Sequence, residues 1–493
     1  MIRTLNQWSA RRVLVCGALS TLLVSPVAAD AQGPVAASTK PPVLAPAKAL
    51  TLPTMVEKTL PNGLRLVIVE QHEIPVVDVQ LVVRTGSEAD PQGKSGLATL
   101  VANMLDEGAG SRDALALAEE IGYLAIRLGT FAGLEQSAVS LHSTRTTLDS
   151  AMALMADVVQ RPTFPEKEFT RLRSERLTSL LQEQDRGPAM ADRAFASLVF
   201  GEQHPYGRSS SGLKETVETL SLDDVRGFWR NWYRPNNATL VVVGDLSVAD
   251  AEALATRTFG GWERGTLPAA PVYASNKMAP RPTSIHIVDK PKAAQSSFRI
   301  GGIGVARKTT DYYPLMVMNT ALGGSFTSRL NNTLREVKAY TYGAGSGFSM
   351  RREAGPFTAR AEVVSAKTDS ALIEFMKELR NIRRPMAAAE LAKVKRYLQL
   401  GYADGFESTG DIASQIASLV PYNLPLSTLG AFNAGIGRVT AADVQRVATQ
   451  YVNPDRLTIV IAGDRATIEQ PLRDTKIGPV DIRDMRGRPV IVP

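Results

Sequence analysis

The feature that most constrains this chain is that its second half repeats its first. Asp224-Val225 is followed by Pro235 and Gly244-Asp245, and Asp443-Val444 by Pro454 and Gly463-Asp464, an ungapped match at a constant offset of 219 residues. A repeat of that length is a duplicated domain. Each copy reads as a helix, with Val225, Phe228 and Trp232 or Val444, Val447 and Tyr451 along one side. A Pro-containing turn follows, then a continuous apolar run at 240–243 or 457–461 that suits a strand buried on both faces.

Each half also opens on strands. Residues 64–69 and Val76–Val83 come after the Asn62-Gly63 turn signal, and 284–288 and 297–301 take the same part later. Helical spacing predicts helices over 96–107, Leu148–Gln160, Glu166–Gln184, 371–382 and 389–404. Strands grouped ahead of helices, twice over, predict an α+β protein of two similar domains, each a mixed or antiparallel sheet with packed helices. The two would form a clam-shell half, and the cleft between them is the natural place for a ligand.

Length agrees, since 493 residues at 44% hydrophobic and 21% charged exceed what one core accommodates. The expected boundaries are a leader at 1–29, an Ala/Pro-rich linker at 30–52 and a first domain at 53–265. A second linker at 266–283, a second domain at 284–480 and a tail at 481–493 complete the chain.

The first 29 residues are basic and then apolar, with small residues before a cleavage point after Ala29 or Ala31. This is the pattern of a secretory signal, so the chain is expected to be exported, to the periplasm where the cell has one. A mitochondrial presequence is the competing reading. The apolar stretch is too short for a span, and no run of about 18 apolar residues follows. The one cysteine, Cys16, leaves with the leader, which removes disulfides and thiol catalysis from the mature chain. Of the net charge of +7, three belong to Arg3, Arg11 and Arg12, and the remaining +4 is no case for nucleic acid.

Four histidines are present: His72 in a loop after a strand, His142 and His286 in strands, and His204 opening a Pro-containing turn. No two lie within helical ligand spacing, and each is read as structural. Read alone, Arg335 is a solvated helix residue and Tyr342 a half-buried strand residue.

Several ordered motifs change that last reading. Leu60-Pro61-Asn62-Gly63-Leu64, Gly86-Ser87-Glu88, Gly96-Leu97-Ala98 and His204-Pro205-Tyr206-Gly207 together resemble the pitrilysin/insulinase metallopeptidase family. The second half adds Leu322-Gly323-Gly324-Ser325-Phe326-Thr327-Ser328-Arg329-Leu330, leading into Leu334-Arg335-Glu336. The resemblance runs from about Leu52 to Thr467, and its nearest type is the mitochondrial-processing-peptidase-like subunit that lacks the zinc motif.

Active family members carry His-x-x-Glu-His on the first helix, two histidines for zinc and a glutamate as base, with a later glutamate completing the site. The matching positions here are Thr99, Ala102 and Asn103, with Gln182 or Glu183 at the later one. The resemblance therefore implies no metal on this chain and zinc on a partner subunit. It also implies that Arg335 and Tyr342, seven positions apart, match the family's pair that donates hydrogen bonds to a peptide carbonyl in the partner's site. Tyr340 is expected on the same strand face as Tyr342 and is read as packing. Gly323 and Gly324 are read as permitting a tight turn and close backbone approach, or as a substrate-facing loop. The expected partners are a zinc-bearing relative, forming a heterodimer, and peptides, which the Gly-rich strand edge after Tyr342 could take as an added strand.

Overall fold

The repeated apolar strands lie inside two six-stranded sheets of the same plan. The computed structural model describes residues 50–271, 273 and 281–490, within one compact unit that begins at Leu50. The expected leader and all but the end of the first linker lie outside the described residues.

The first sheet contains β1 (Val56–Thr59), β2 (Arg65–Glu70), β3 (Val76–Val83), β4 (Arg127–Ala132), β5 (Ser137–Thr144) and β6 (Ala238–Gly244), in the spatial order β1-β2-β6-β3-β5-β4. The repeated strand β6 is buried at all seven positions, so its apolar residues run on without alternation. It pairs parallel to β2 and antiparallel to β3.

The second sheet contains β7 (Ser284–Asp289), β8 (Gln295–Ile303), β9 (Thr341–Phe348), β10 (Pro356–Val364), β11 (Thr458–Gly463) and β12 (Val480–Arg483), in the order β9-β10-β8-β11-β7-β12. Here β11 runs parallel to β7 and antiparallel to β8, as β6 does with its neighbours.

Five strands correspond between the sheets, and the sixth does not. In the first sheet it is β1, antiparallel to β2; in the second it is β12, parallel to β7. Residues 481–483, expected in a tail, are therefore sheet residues, and Ile482 is buried. Three polar or charged residues around it, Asp481, Arg483 and Asp484, masked the strand in the sequence.

Helices of its own half cover one face of each sheet. Those the site depends on are α1 (Leu97–Met104), α2 (Leu148–Gln160), α3 (Glu166–Gln184), α4 (Gly187–Phe200), α5 (Leu222–Trp232), α6 (Thr368–Asn381), α7 (Ala388–Gly401), α8 (Thr409–Ala417) and α9 (Ala441–Tyr451). In the first half, Leu66, Ile68, Leu240 and Val242 pack against α1, α2 and α5. The opposite face of the same strands, Val67, Val69, Val241 and Val243, is covered by Ile412, Ala413 and Ile416 of α8, from the other half. The arrangement is reciprocated. Met190, Ala191, Ala194 and Phe195 of α4 cover Val288, Val460 and Ala462 of the second sheet. The halves thus exchange one helix each, and the expected division at 266–283 separates them in sequence but not in packing.

Arg352, in the loop between β9 and β10, fastens the second half into the first. Its guanidinium pairs with the Glu88 carboxylate and donates to the carbonyls of Glu135 (2.6 Å), Arg84 (2.8 Å) and Pro421 (3.0 Å). Its backbone N–H donates to the Glu135 carboxylate at 2.9 Å. Glu88 is buried and accepts also from the Tyr273 phenol. Burial outweighs the neighbouring Arg352 cation and pushes the Glu88 carboxyl up to about 7.

Candidate functional site

The first helix is where a metal would be expected, so its geometry comes first. Asp90 accepts from the backbone N–H groups of Gly96 and Ala98, both at 2.8 Å, which starts α1 at that point. Gly96 holds φ at +97°, and a Cβ there would lie 3.0 Å from the Gly212 backbone, so only glycine suits the position. From this start, Thr99, Ala102 and Asn103 fall on α1. Thr99 donates to the Ser210 carbonyl at 2.8 Å, Ala102 is fully buried, and Asn103 is exposed.

The later position is not open either. Glu183, on α3, accepts from Arg176 at 2.9 Å and from Arg193 at 3.2 Å, whereas Gln182 is exposed. Arg176 also donates to the Ser211 carbonyl at 2.7 Å, and its side chain lines, with Thr99 and Asn103, a remnant cavity of about 10 Å³. That is about the volume of a single water. A hydroxyl, a methyl, an amide and a guanidinium are no ligand set for zinc, and the fixed cation of Arg176 repels one. The residues present do not fit a metal. Among the described residues no group of three His, Cys, Asp or Glu could hold one.

Arg176 was missed in the sequence because an arginine on a charged helix looks like solvent-facing polarity. Its spacing of seven from Glu183, which places both on one face of α3, was the available signal.

The second half presents the opposite situation. Arg335 lies on a wide, π-type turn, Asn332–Val337, rather than on a regular helix. Its guanidinium sits 4.5 Å from the centre of the Phe326 ring, and its Nη1 is 3.2 Å from the adjacent Glu336 carboxylate without forming a directed hydrogen bond. Tyr342 is 91% exposed on the edge strand β9, and its phenol has no hydrogen-bond partner among the described residues.

Asn331, itself buried, draws the pieces together. It donates to the Phe326 carbonyl at 2.7 Å and accepts the Ala344 N–H at 3.1 Å, tying the Phe326 loop to β9. The Thr341 hydroxyl accepts the Gly343 N–H at 3.1 Å and donates to the Glu362 carbonyl at 2.7 Å. The register of β9 against β10 shifts between Thr341 and Ala344. Tyr340 lies ahead of the strand and packs on the core, so it does not share a face with Tyr342 as alternation had suggested.

Gly323 is accounted for by packing. A Cβ there would lie 2.3 Å from the Ser346 nitrogen, so glycine lets the preceding turn rest on β9. Gly324 is similarly crowded by Asn319. Each histidine has a local partner: His72 with Asp245 (2.7 Å), His142 with Asp78 (3.0 Å), His204 with the Tyr206 N–H (3.0 Å) and His286 with Asp481 (2.5 Å).

Comparison with known proteins gives a consistent result. Residues 65–198 match the family model described as Insulinase (Peptidase family M16), and residues 219–398 match that of the Peptidase M16 inactive domain. A Rickettsia bellii protein named as a zinc protease is 22% identical over 407 residues, which are 82% of this chain and 96% of that protein. The crystal structure of a peptidase M16 inactive domain from Pseudomonas fluorescens aligns at a TM-score of 0.77 and 28% identity, over 83% of this chain and 98% of that one. The first half of the periplasmic protease PqqL from Escherichia coli shares the fold at a TM-score of 0.67 and 17% identity, over 86% of this chain and 98% of that one.

Proposed function

Because the chain belongs to the insulinase family of peptidases, family M16, we propose that it is the non-metal subunit of an exported two-subunit peptidase. In this reading it grips peptide substrates and lends Arg335 and Tyr342 to the active site of a partner. A partner bearing His-x-x-Glu-His would supply zinc and the general base. Arg335 and Tyr342 would donate to the scissile carbonyl and to the oxyanion that develops from it, which neither needs a change of protonation to do.

The observation that carries this reading is the exposure of Tyr342 and the light hold on Arg335, on the turn that leads into its strand, while the chain's own metal position is closed by Arg176. A pair serving this chain's own hydrolysis would have no metal to work with. The basic and apolar leader supports export, and no helix of the described residues is long and apolar enough to cross a membrane.

The test is hydrolysis of a mixed-sequence peptide library by the chain, by its zinc-bearing relative, and by both, each with and without chelator. Chelator-sensitive cleavage that rises on mixing, and falls about 10²–10³-fold in kcat with Arg335→Ala while the complex persists, supports the reading. No rise over the relative alone moves the protein to a peptide-binding or scaffold role in the same fold. Dissociation of the complex by Arg335→Ala would make that residue an interface contact instead.

A further inference from the structure

A cavity of about 400 Å³ opens between the two halves, away from both α1 and the Arg335–Tyr342 face. It falls within the range of about 300–1,000 Å³ typical of small-molecule sites. Arg84 and Trp232 come from the first half, and Arg307, Lys308, Arg351 and Tyr422 from the second.

Its charge is one-sided. Among the described residues Glu88 is the only carboxylate in the lining, and Arg352 and Tyr273 already occupy it. The other four cations, Arg84, Arg307, Lys308 and Arg351, make no ion pair among the described residues. Arg307 stacks on Tyr312 at 3.8 Å and Arg351 on Tyr206 at 4.6 Å, contacts that orient a guanidinium without neutralising it. The Nη1 of Arg351 is fully buried and has no hydrogen-bond partner among the described residues. Burial, together with the Arg352 cation, lowers the Arg84 guanidinium from its ordinary value.

On an open surface each of these groups would be hydrated and screened. Arg84 and Arg351 are instead partly buried, Arg84 faces the Arg352 cation and Arg351 has only the field of the nearby Glu135 carboxylate, so an anion between them lowers the energy of the cavity. Beside the polar Thr85, Asn237 and Asn423, the wall carries an apolar surface formed by Trp232, Leu267, Pro268, Pro271, Pro421 and Tyr422. A bare inorganic ion would leave that surface wet.

We propose that this cavity binds an organic anion with a flat apolar body and a carboxylate or phosphate head. The head lies between Arg84 and Arg351, and the body lies against Trp232 and Tyr422. The site is independent of the peptidase reading, since none of its residues belongs to that site.

The experiment is calorimetric titration of the full chain with 1-naphthyl phosphate and 1-naphthoate, with neutral 1-naphthol and inorganic phosphate as controls. At least one charged aromatic probe is expected to bind tenfold or more tighter than either control, and whichever is tighter identifies the head. Arg84→Gln and Arg351→Gln should each weaken it at least tenfold, about 1.4 kcal/mol. Lys377→Gln, an exposed charge on α6, should leave it unchanged. Arg84→Gln keeps the test decisive should Arg351→Gln fail to fold, because the Arg84 side chain makes no hydrogen bond among the described residues. Binding that survives both arginine substitutions, naphthol binding as tightly as the anions, or no probe binding at about 1 mM to the folded chain overturns the proposal.

Discussion

Replacing Arg352 with alanine tests how the two halves are fastened. The substitution removes one ion pair and three donations to carbonyls, and leaves Glu88, whose side chain is 1% exposed, with Tyr273 alone. Breaking one side of a buried pair costs about 3–5 kcal/mol. Over the unit from Leu50 onward, at about 2.1 cal/mol/K per residue, that is a fall in Tm of about 3–5 °C. The pH dependence is more diagnostic. The Glu88 carboxyl is raised to about 7 in the folded chain, so the folded state holds a proton that the unfolded state has released. That group's stabilisation is present at low pH and is lost as pH rises through about 7. Without Arg352 the folded pKa rises further, so the gap between wild type and variant should be smaller at pH 6 than at pH 8.5. Scanning calorimetry at the two pH values decides it. A fall under about 1 °C at pH 8.5, or a gap that narrows with rising pH, refutes the latch.

Other substitutions test the remaining features. Ile416→Ala, at a 1% exposed contact between α8 and the first sheet, should cost about 2–4 kcal/mol by thermal melting, and a neutral result would deny that the exchanged helix holds the fold. Tyr342→Phe should lower kcat of the two-chain complex about 10²-fold with Tm unchanged, because the side chain is 91% exposed and its phenol makes no hydrogen bond among the described residues; a shift in Tm would contradict its exposure. Thr99→His with Asn103→His should bind no zinc in equilibrium dialysis until Arg176→Ala is added. Stoichiometric zinc with Arg176 in place would show that the arginine does not close the site.

What the sequence disclosed was local or repeated. The Asp-Val pair that marks the duplication recurs because Asp224 and Asp443 each complete a capping box, with Ser221 and Thr440, at the start of α5 and α9. Leu148–Gln160, Glu166–Gln184 and Val76–Val83 carry their period in their own residues, and the structure has them at those bounds. The distant pairings were hidden. The apolar stripe of α8 announces a buried face without saying which sheet it meets, and β12 is too short and too charged to read as a strand. Arg176 and Arg352 look in sequence like any surface arginine; Arg176 meets Glu183 along its own helix, but only folding brings Arg352 to Glu88. That Thr99 and Asn103 are no ligands for zinc could be read from the sequence, but the Arg176 guanidinium beside them could not.

The exchanged helices also govern the order in which this molecule can be made. The first sheet keeps a row of valines uncovered until α8 emerges some 170 residues after β6, and the surface α4 rests on is incomplete until β11 exists. Contacts of such long reach close slowly and late. A polypeptide arrested near its midpoint therefore ends as an unfinished, adhesive intermediate with a bare hydrophobic sheet face, and a second copy of the same fragment could offer its own stray α4 only to the wrong sheet.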